Sequence, residues 1–219
     1  MQRMKEGTAM RIVAGIIGVI LSMPSGWAAP AATETLRFAI TRNGEQIGTH
    51  VIEVNRAGQE TSVSVATDLT VKVLLVTAYH FQHAASERWV NDRLVALTAT
   101  TDNNGTRHEV SVAMKASGLE MEADGKAARL DSDIMPGSLW NPELLRRSFM
   151  LDAQDGQVMP LLVVDDGMDE LTINAHPVKA RHYTLKSRYS QDVWYDDHQR
   201  LVQSKIIGSN GSIVLYVPI

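Results

Sequence analysis

The chain has no cysteine. That excludes disulfides, thiolate zinc sites, iron–sulfur clusters, a cysteine nucleophile and a lipid-modified cysteine. Aromatic residues are scarce, with 3 Phe, 5 Tyr and 4 Trp in 219 residues. Basic charge is in deficit: 21 Lys+Arg stand against 25 Asp+Glu, a formal net charge of −4, which argues against a strongly basic nucleic-acid binder. The sequence holds no Gly-x-Ser-x-Gly elbow, no Gly-rich phosphate loop and no dinucleotide-binding fingerprint. No catalytic residue and no cofactor is therefore assigned from it. Its one long apolar run, residues 12–21, is shorter than the ~20 residues that span a bilayer.

That run has a particular setting. Arg3, Lys5 and Arg11 precede it, diluted by Glu6, and Pro24, Gly26, Ala28, Ala29, Ala31 and Ala32 follow it. This is the layout of a secretory signal peptide; the alternative is a retained anchor. Met4 or Met10 is an alternative start. Cleavage between Ala28 and Ala32 divides the chain into a signal peptide, 1–31, and one β domain, 32–219. The mature part then carries a net charge of −6, and its expected location is the periplasm. Such a surface disfavours nucleic acid and anionic lipid surfaces. It leaves a hydrophobic small molecule or lipid, or another envelope protein, as expected partners, with no integral anchor after cleavage.

The mature chain reads as strands and turns. Asn43-Gly44, Ala57-Gly58, Asn104-Gly105, Asp124-Gly125, Asp166-Gly167 and Asn210-Gly211 are hairpin-turn signals, with Asn91-Asp92 and Asp197-His198 weaker ones. Between them apolar residues alternate with polar ones, as in Val63, Val65, Leu69, Val71, Val73 and Leu75 against Ser62, Ser64, Asp68, Thr70 and Lys72. A period of two means strands with one buried face, and 21 Val and 15 Thr favour strands as well. Consecutive hairpins imply an antiparallel meander, with strands that include 158–165 and 169–174. So many strands must curl or split. The expected fold is mainly β, a strongly curved antiparallel half-barrel or open barrel with one short helix; the alternative is a two-layer β-sandwich. The interval 61–90 lacks Gly, Pro and Asn. As a single strand it would measure about 100 Å, so the chain must bend near 74–78 without strong turn chemistry.

One segment interrupts the alternation. Asn141, Pro142 and Glu143 supply an N-cap, a first-turn proline and a first-turn acid, which predicts a short helix over 142–148. It falls between two β groups and can cap the open side of a curved sheet, with Trp140 and Leu144 as the plug.

Candidate chemistry is thin. His80 and His83 would face opposite sides of a strand and do not make a metal pair. Asp196-Asp197-His198 reads as a tight turn. Asp165, Asp166, Asp169 and Glu170 surround a glycine without the spacing of a calcium loop, so no metal site is assigned. Asn104-Gly105-Thr106 and Asn210-Gly211-Ser212 match the glycosylation acceptor pattern, but turn chemistry already accounts for both. Tyr79, Phe81 and Trp89 share one parity of one strand, with His83, Ala85 and Glu87 between them. This stripe is either core or the wall of an apolar pocket with Glu87 or Arg88 at its polar edge. Taken as a pocket, it makes Val71, Val73, Tyr79, Phe81, Trp89 and Trp140 the candidate ligand-binding residues.

The run Glu87-Arg88-Trp89-Val90-Asn91-Asp92-Arg93-Leu94-Val95-Ala96-Leu97, followed by Thr101-Asp102-Asn103-Asn104-Gly105, resembles exported bacterial proteins of the family known as domain of unknown function 6134. Leu139-Trp140-Asn141-Pro142, Val193-Trp194-Tyr195-Asp196-Asp197 and Arg200-Leu201-Val202 look like the rest of that pattern. The resemblance spans about residues 35–218 and carries no catalytic residues to transfer. In shape the chain is also similar to periplasmic half-barrels that hold lipid or lipoprotein acyl chains. That likeness implies a protein sheltering a hydrophobic or lipid ligand in a curved sheet; the alternative is a non-catalytic scaffold or interaction module of the cell envelope.

Overall fold

The computed structural model describes residues 32–73, 76–208 and 211–219. The signal-peptide assignment (1–31), residues 74–75 of the bend expected near 74–78, and Asn210 lie outside the described residues. Strands β1 (Ala32–Arg42), β2 (Glu45–Ala57), β3 (Glu60–Val73), β4 (Val76–Val90), β5 (Arg93–Asn103), β6 (Thr106–Lys115), β7 (Gly118–Ala123) and β8 (Lys126–Arg129) form one antiparallel meander. A 3-10 helix (Pro142–Arg146) and a small hairpin, β9 (Phe149–Leu151) with β10 (Val158–Pro160), follow. Strands β11 (Leu162–Ile173), β12 (His176–Lys186), β13 (Ser190–Tyr195), β14 (Leu201–Ile207) and β15 (Ile213–Pro218) form a second meander. Strand β15 pairs with β1, so the two meanders are one 13-stranded antiparallel sheet whose unclosed edges are β8 and β11. Because that seam joins the halves by direct pairing, Phe38 to Pro218 through Arg42 to Val214, they cannot separate into the two layers of a sandwich.

Turn chemistry sets most of the reversals. Asn43-Gly44, Asn91-Asp92, Asn104-Gly105 and Asp124-Gly125 all have positive φ at both positions, as two-residue type I′ hairpins require. Asn174 and Ala175 do the same without a glycine. The Asp166-Gly167 assignment fails: β11 runs unbroken where strands 158–165 and 169–174 were expected. Gly167, at φ +95°, sits at a bulge, with the register shifting between Asp165 and Gly167 and its N–H donating to Asp165 Oδ1 at 3.1 Å. A positive φ serves a bulge as readily as a turn. Residues 158–160 belong instead to the small hairpin. The long interval 61–90 is two strands, with Val73 paired to Val76. The expected helix at 142–148 is a shorter 3-10 helix, capped by Asn141, whose side chain accepts from the Glu143 N–H.

The inner face is built in rungs across the strands. Ile52, Val65, Ala85, Ala99 and Val110 stand opposite one another on β2 to β6. So do Val54, Val63, Glu87, Leu97, Val112 and, on β7, Met121. The second meander contributes Leu185, Val193, Tyr195 and Leu201 to the same core. One sheet can bring both sets together only by curving. The crossing segment, residues 130–161, fills the concavity with Leu130, Ile134, Met135, Leu144, Leu151 and Leu161, all buried.

Two glycines separate steric from conformational demand. A Cβ on Gly48 would overlap the Asp68 carbonyl oxygen and Leu69 Cα, which are backbone atoms, whereas Gly105 has open space but φ +91°. Gly105→Ala is expected to cost about 1 kcal/mol. Gly48→Ala should cost more, roughly 2 kcal/mol or above, because the β2–β3 backbone itself must shift. Urea unfolding of the two variants checks this; equal costs would contradict the close approach.

Candidate functional site

The concave interior holds a cavity of about 130 Å³ between the two meanders and the crossing segment. Its wall is not uniformly apolar. On β2 to β5, His50, Thr67, His83 and Thr101 form one rung, next to the wholly apolar rung of Ile52. Within it His50 Nδ1 and Thr67 Oγ1 share a hydrogen bond of 2.7 Å, and His83 Nδ1 and Thr101 Oγ1 one of 2.9 Å. The His50 ring also packs edge-on against Tyr216, with centroids 5.4 Å apart. From the opposite wall, Gln191 Nε2 donates to Ser204 Oγ at 2.7 Å. Burial holds both imidazoles well below their ordinary value of 6.5, at about 4, and His83 further disfavours charge on His50. Burial likewise pushes the Tyr216 hydroxyl up. At neutral pH this rung is polar but uncharged.

Glu87 is the exception in its own rung. It is 1% exposed, and its cross-strand neighbours Val63 and Leu97 are aliphatic. Trp89, two residues along the same face of β4, donates its indole N–H to Glu87 Oε2 at 2.9 Å. Trp140, on the crossing segment, donates its own to the same oxygen at 2.9 Å. The two indoles meet edge to face, with centroids 5.5 Å apart, and the Arg56 guanidinium covers the Trp140 ring at 5.7 Å. Burial raises the Glu87 pKa, and the donors from Trp140, Ser138 and Trp89 oppose the rise without cancelling it. Glu87 Oε1 closes no hydrogen bond of good geometry among the described residues, the Ser138 hydroxyl included.

The crossing segment has further polar anchors. Tyr195 donates its hydroxyl to the Leu139 carbonyl at 2.9 Å. Arg188 reaches Asp155 at 2.9 Å and Asp152 at 3.4 Å. Asp152 lines the cavity, and burial raises its pKa.

Of the six candidate residues, Phe81 lines the cavity, and Trp89 and Trp140 meet on Glu87. Val71 and Tyr79 are opposite one another, half-buried, on the strand ends beyond the imidazole rung. The Tyr79 hydroxyl donates to Asn103 at 2.8 Å. Val73 ends β3, and its side chain lies outside the description. Sequence reasoning placed Glu87 at a pocket edge and missed His50. The signal for both was parity, since His50 and Glu87 fall on the inward positions of their strands. The acidic residues near Gly167 are dispersed among partners: Asp165 pairs with Arg181 at 2.6 Å, Asp166 accepts from Thr184, and Asp169 accepts from the Trp194 indole. Among the described residues no group of three or more His, Asp or Glu could hold a metal ion. The cavity's chemistry is hydrogen bonding: two imidazoles, hydroxyls and one carboxyl with a spare oxygen.

Both imidazoles bind protons less readily folded than unfolded, so they contribute stability above pH 6.5 that is lost as pH falls toward about 4. The loss is on the order of 3 kcal/mol for each ring. The double variant His50→Gln with His83→Gln should show a flatter stability profile across that window in urea unfolding. An unchanged slope would mean that other groups carry it.

No curated protein matches the sequence. Among solved structures, the beta-barrel-like protein of Domain of Unknown Function DUF1849 from Brucella abortus is similar in fold, with a TM-score of 0.62 over 84% of this chain and 94% of that one. At 8% identity the likeness concerns the fold alone. The model of the family described as Domain of unknown function (DUF6134) matches residues 38–219, and the chain belongs to that family.

Proposed function

We propose that this chain is an exported, periplasmic binding protein that shelters a small amphipathic molecule, or the end of a lipid, inside its curved sheet. The observation that carries the reading is the cavity of about 130 Å³ between the two meanders and the crossing segment. An engineered cavity of about 150 Å³ holds one benzene, so the space suits a single ring or a short chain segment. A longer ligand has a path outward. Beyond the imidazole rung the inner face continues as Leu69 opposite Phe81 and Val71 opposite Tyr79, all half-buried. At the same end of the sheet Val76, Ile207 and Ile213 expose apolar side chains. The polar rung gives such a ligand hydrogen bonds, and the apolar walls give it burial.

Native mass spectrometry of protein gently prepared from the periplasmic fraction should show a bound small molecule. Ala85 lines the cavity, and Ala85→Leu fills it from the sheet side. That variant should remain folded, at an overpacking cost of about 1–3 kcal/mol, and lose the bound mass. A ligand-free wild type from fresh cells, or full retention by Ala85→Leu, would overturn the reading. Crosslinking in cells that captures one stoichiometric protein partner instead would favour an interaction module.

A further inference from the structure

We propose that Glu87 works as a neutral carboxylic acid whose Oε1 hydroxyl is the hydrogen-bond donor for an uncharged acceptor, a carbonyl or ether oxygen, on the cavity's ligand. This rests on the reading of the interior as a ligand site and names the chemistry that the site selects. The geometry points to it through the two indoles. A tryptophan N–H can only donate, and both Trp89 and Trp140 donate to Oε2. Oε2 is therefore fully used as an acceptor, and a proton on the carboxyl belongs on Oε1. The Ser138 hydroxyl on the cavity wall also favours charge on this carboxyl, but Oε1 closes no hydrogen bond of good geometry with it or with any other described residue, although Glu87 is 1% exposed and lines the cavity. A buried donor without an acceptor is costly, and a ligand oxygen would remove the cost.

The surroundings favour the neutral form over an ion pair with a cationic ligand. No Lys or Arg among the described residues forms an ion pair with Glu87. Arg56, whose guanidinium covers the Trp140 ring, pairs instead with Glu34 at 3.1 Å. His50 and His83 on the cavity wall are neutral at neutral pH. The other wall carboxylate, Asp152, is already held by Arg188, and the Tyr216 and Tyr189 hydroxyls are shifted upward, away from ionisation. An isolated carboxylate in such a place takes up a proton rather than remaining charged.

The test compares Glu87→Gln with Glu87→Leu in the mature protein. Glutamine reproduces the protonated acid: its oxygen accepts from both indoles and its NH₂ donates to the cavity. Cyclopentanone, methylcyclopentane and cyclopentylammonium, three probes of near-equal size, are titrated at neutral pH by ligand-observed NMR. Thermal unfolding confirms that each variant is folded. Cyclopentanone should bind wild type and Glu87→Gln within about threefold of each other. It should weaken about fivefold in Glu87→Leu, the worth of one neutral hydrogen bond, while methylcyclopentane changes little. Carbon-13 NMR of the Glu87 carboxyl should show the protonated form at neutral pH. Preferential binding of cyclopentylammonium that Glu87→Gln abolishes would overturn the proposal in favour of an ionised cation site. Cyclopentanone binding that ignores Glu87→Leu would overturn the proposal and leave the cavity reading intact. Failure of all three probes to bind wild type would overturn both.

Discussion

A sheet of thirteen strands that curves without closing must cover its own concave face, and the rest of the structure follows from that constraint. The edges β8 and β11 do not pair, so the hydrogen-bond ladder alone does not complete the wall. The chain between them, residues 130–161, does so by turning inward. Leu144 and Leu151 on that segment are 1% and 0% exposed, and burying each is worth roughly 1.5–3 kcal/mol. The crossing segment is thus part of the core, and the space it leaves unfilled is the cavity.

Glu87 is where this arrangement is least economical and most specific. An aliphatic residue in its place would match Val63 and Leu97 on either side and avoid the desolvation of a carboxyl. What the carboxyl adds is direction. It fixes the Trp140 indole by one hydrogen bond and the Trp89 indole by another, so the crossing segment docks in one position against β4. The two indoles take up Oε2, and Oε1 is left without a hydrogen bond of good geometry among the described residues. Two rungs away, each imidazole Nδ1 is held by a threonine on the next strand. At Glu87, anchoring of the crossing segment and polarity of the cavity wall fall to one residue.

Much of the architecture was legible because a strand writes its two faces in alternate residues. The parity of Val63 and Val65 placed the inner face of β3, and the same parity on β4 put Phe81, His83, Ala85, Glu87 and Trp89 together. Parity gives the face but not the depth: nothing in the spacing distinguishes Glu87, fully buried, from a carboxylate at a pocket rim. Asn141 and Pro142 announced the 3-10 helix through their capping chemistry. Asp166-Gly167 misled because a glycine with positive φ serves a bulge and a hairpin alike. The reversal between Val73 and Val76 carries no turn residue, and its signal was only the excessive length of the strand. Trp140 lies in a segment without periodicity, so its contact with Glu87, far away in sequence, was visible only as a plug of unspecified partner.

The central claim is that the crossing segment is locked to the sheet through the Glu87–Trp140 hydrogen bond. A double-mutant cycle on unfolding free energy, with Glu87→Leu and Trp140→Phe singly and together, tests it most directly, since phenylalanine keeps a ring but removes the donor. The account predicts that the two changes are non-additive, with a coupling energy of about 1–2 kcal/mol. Additive effects, with Trp140→Phe costing the same whether or not the carboxyl is present, would contradict it.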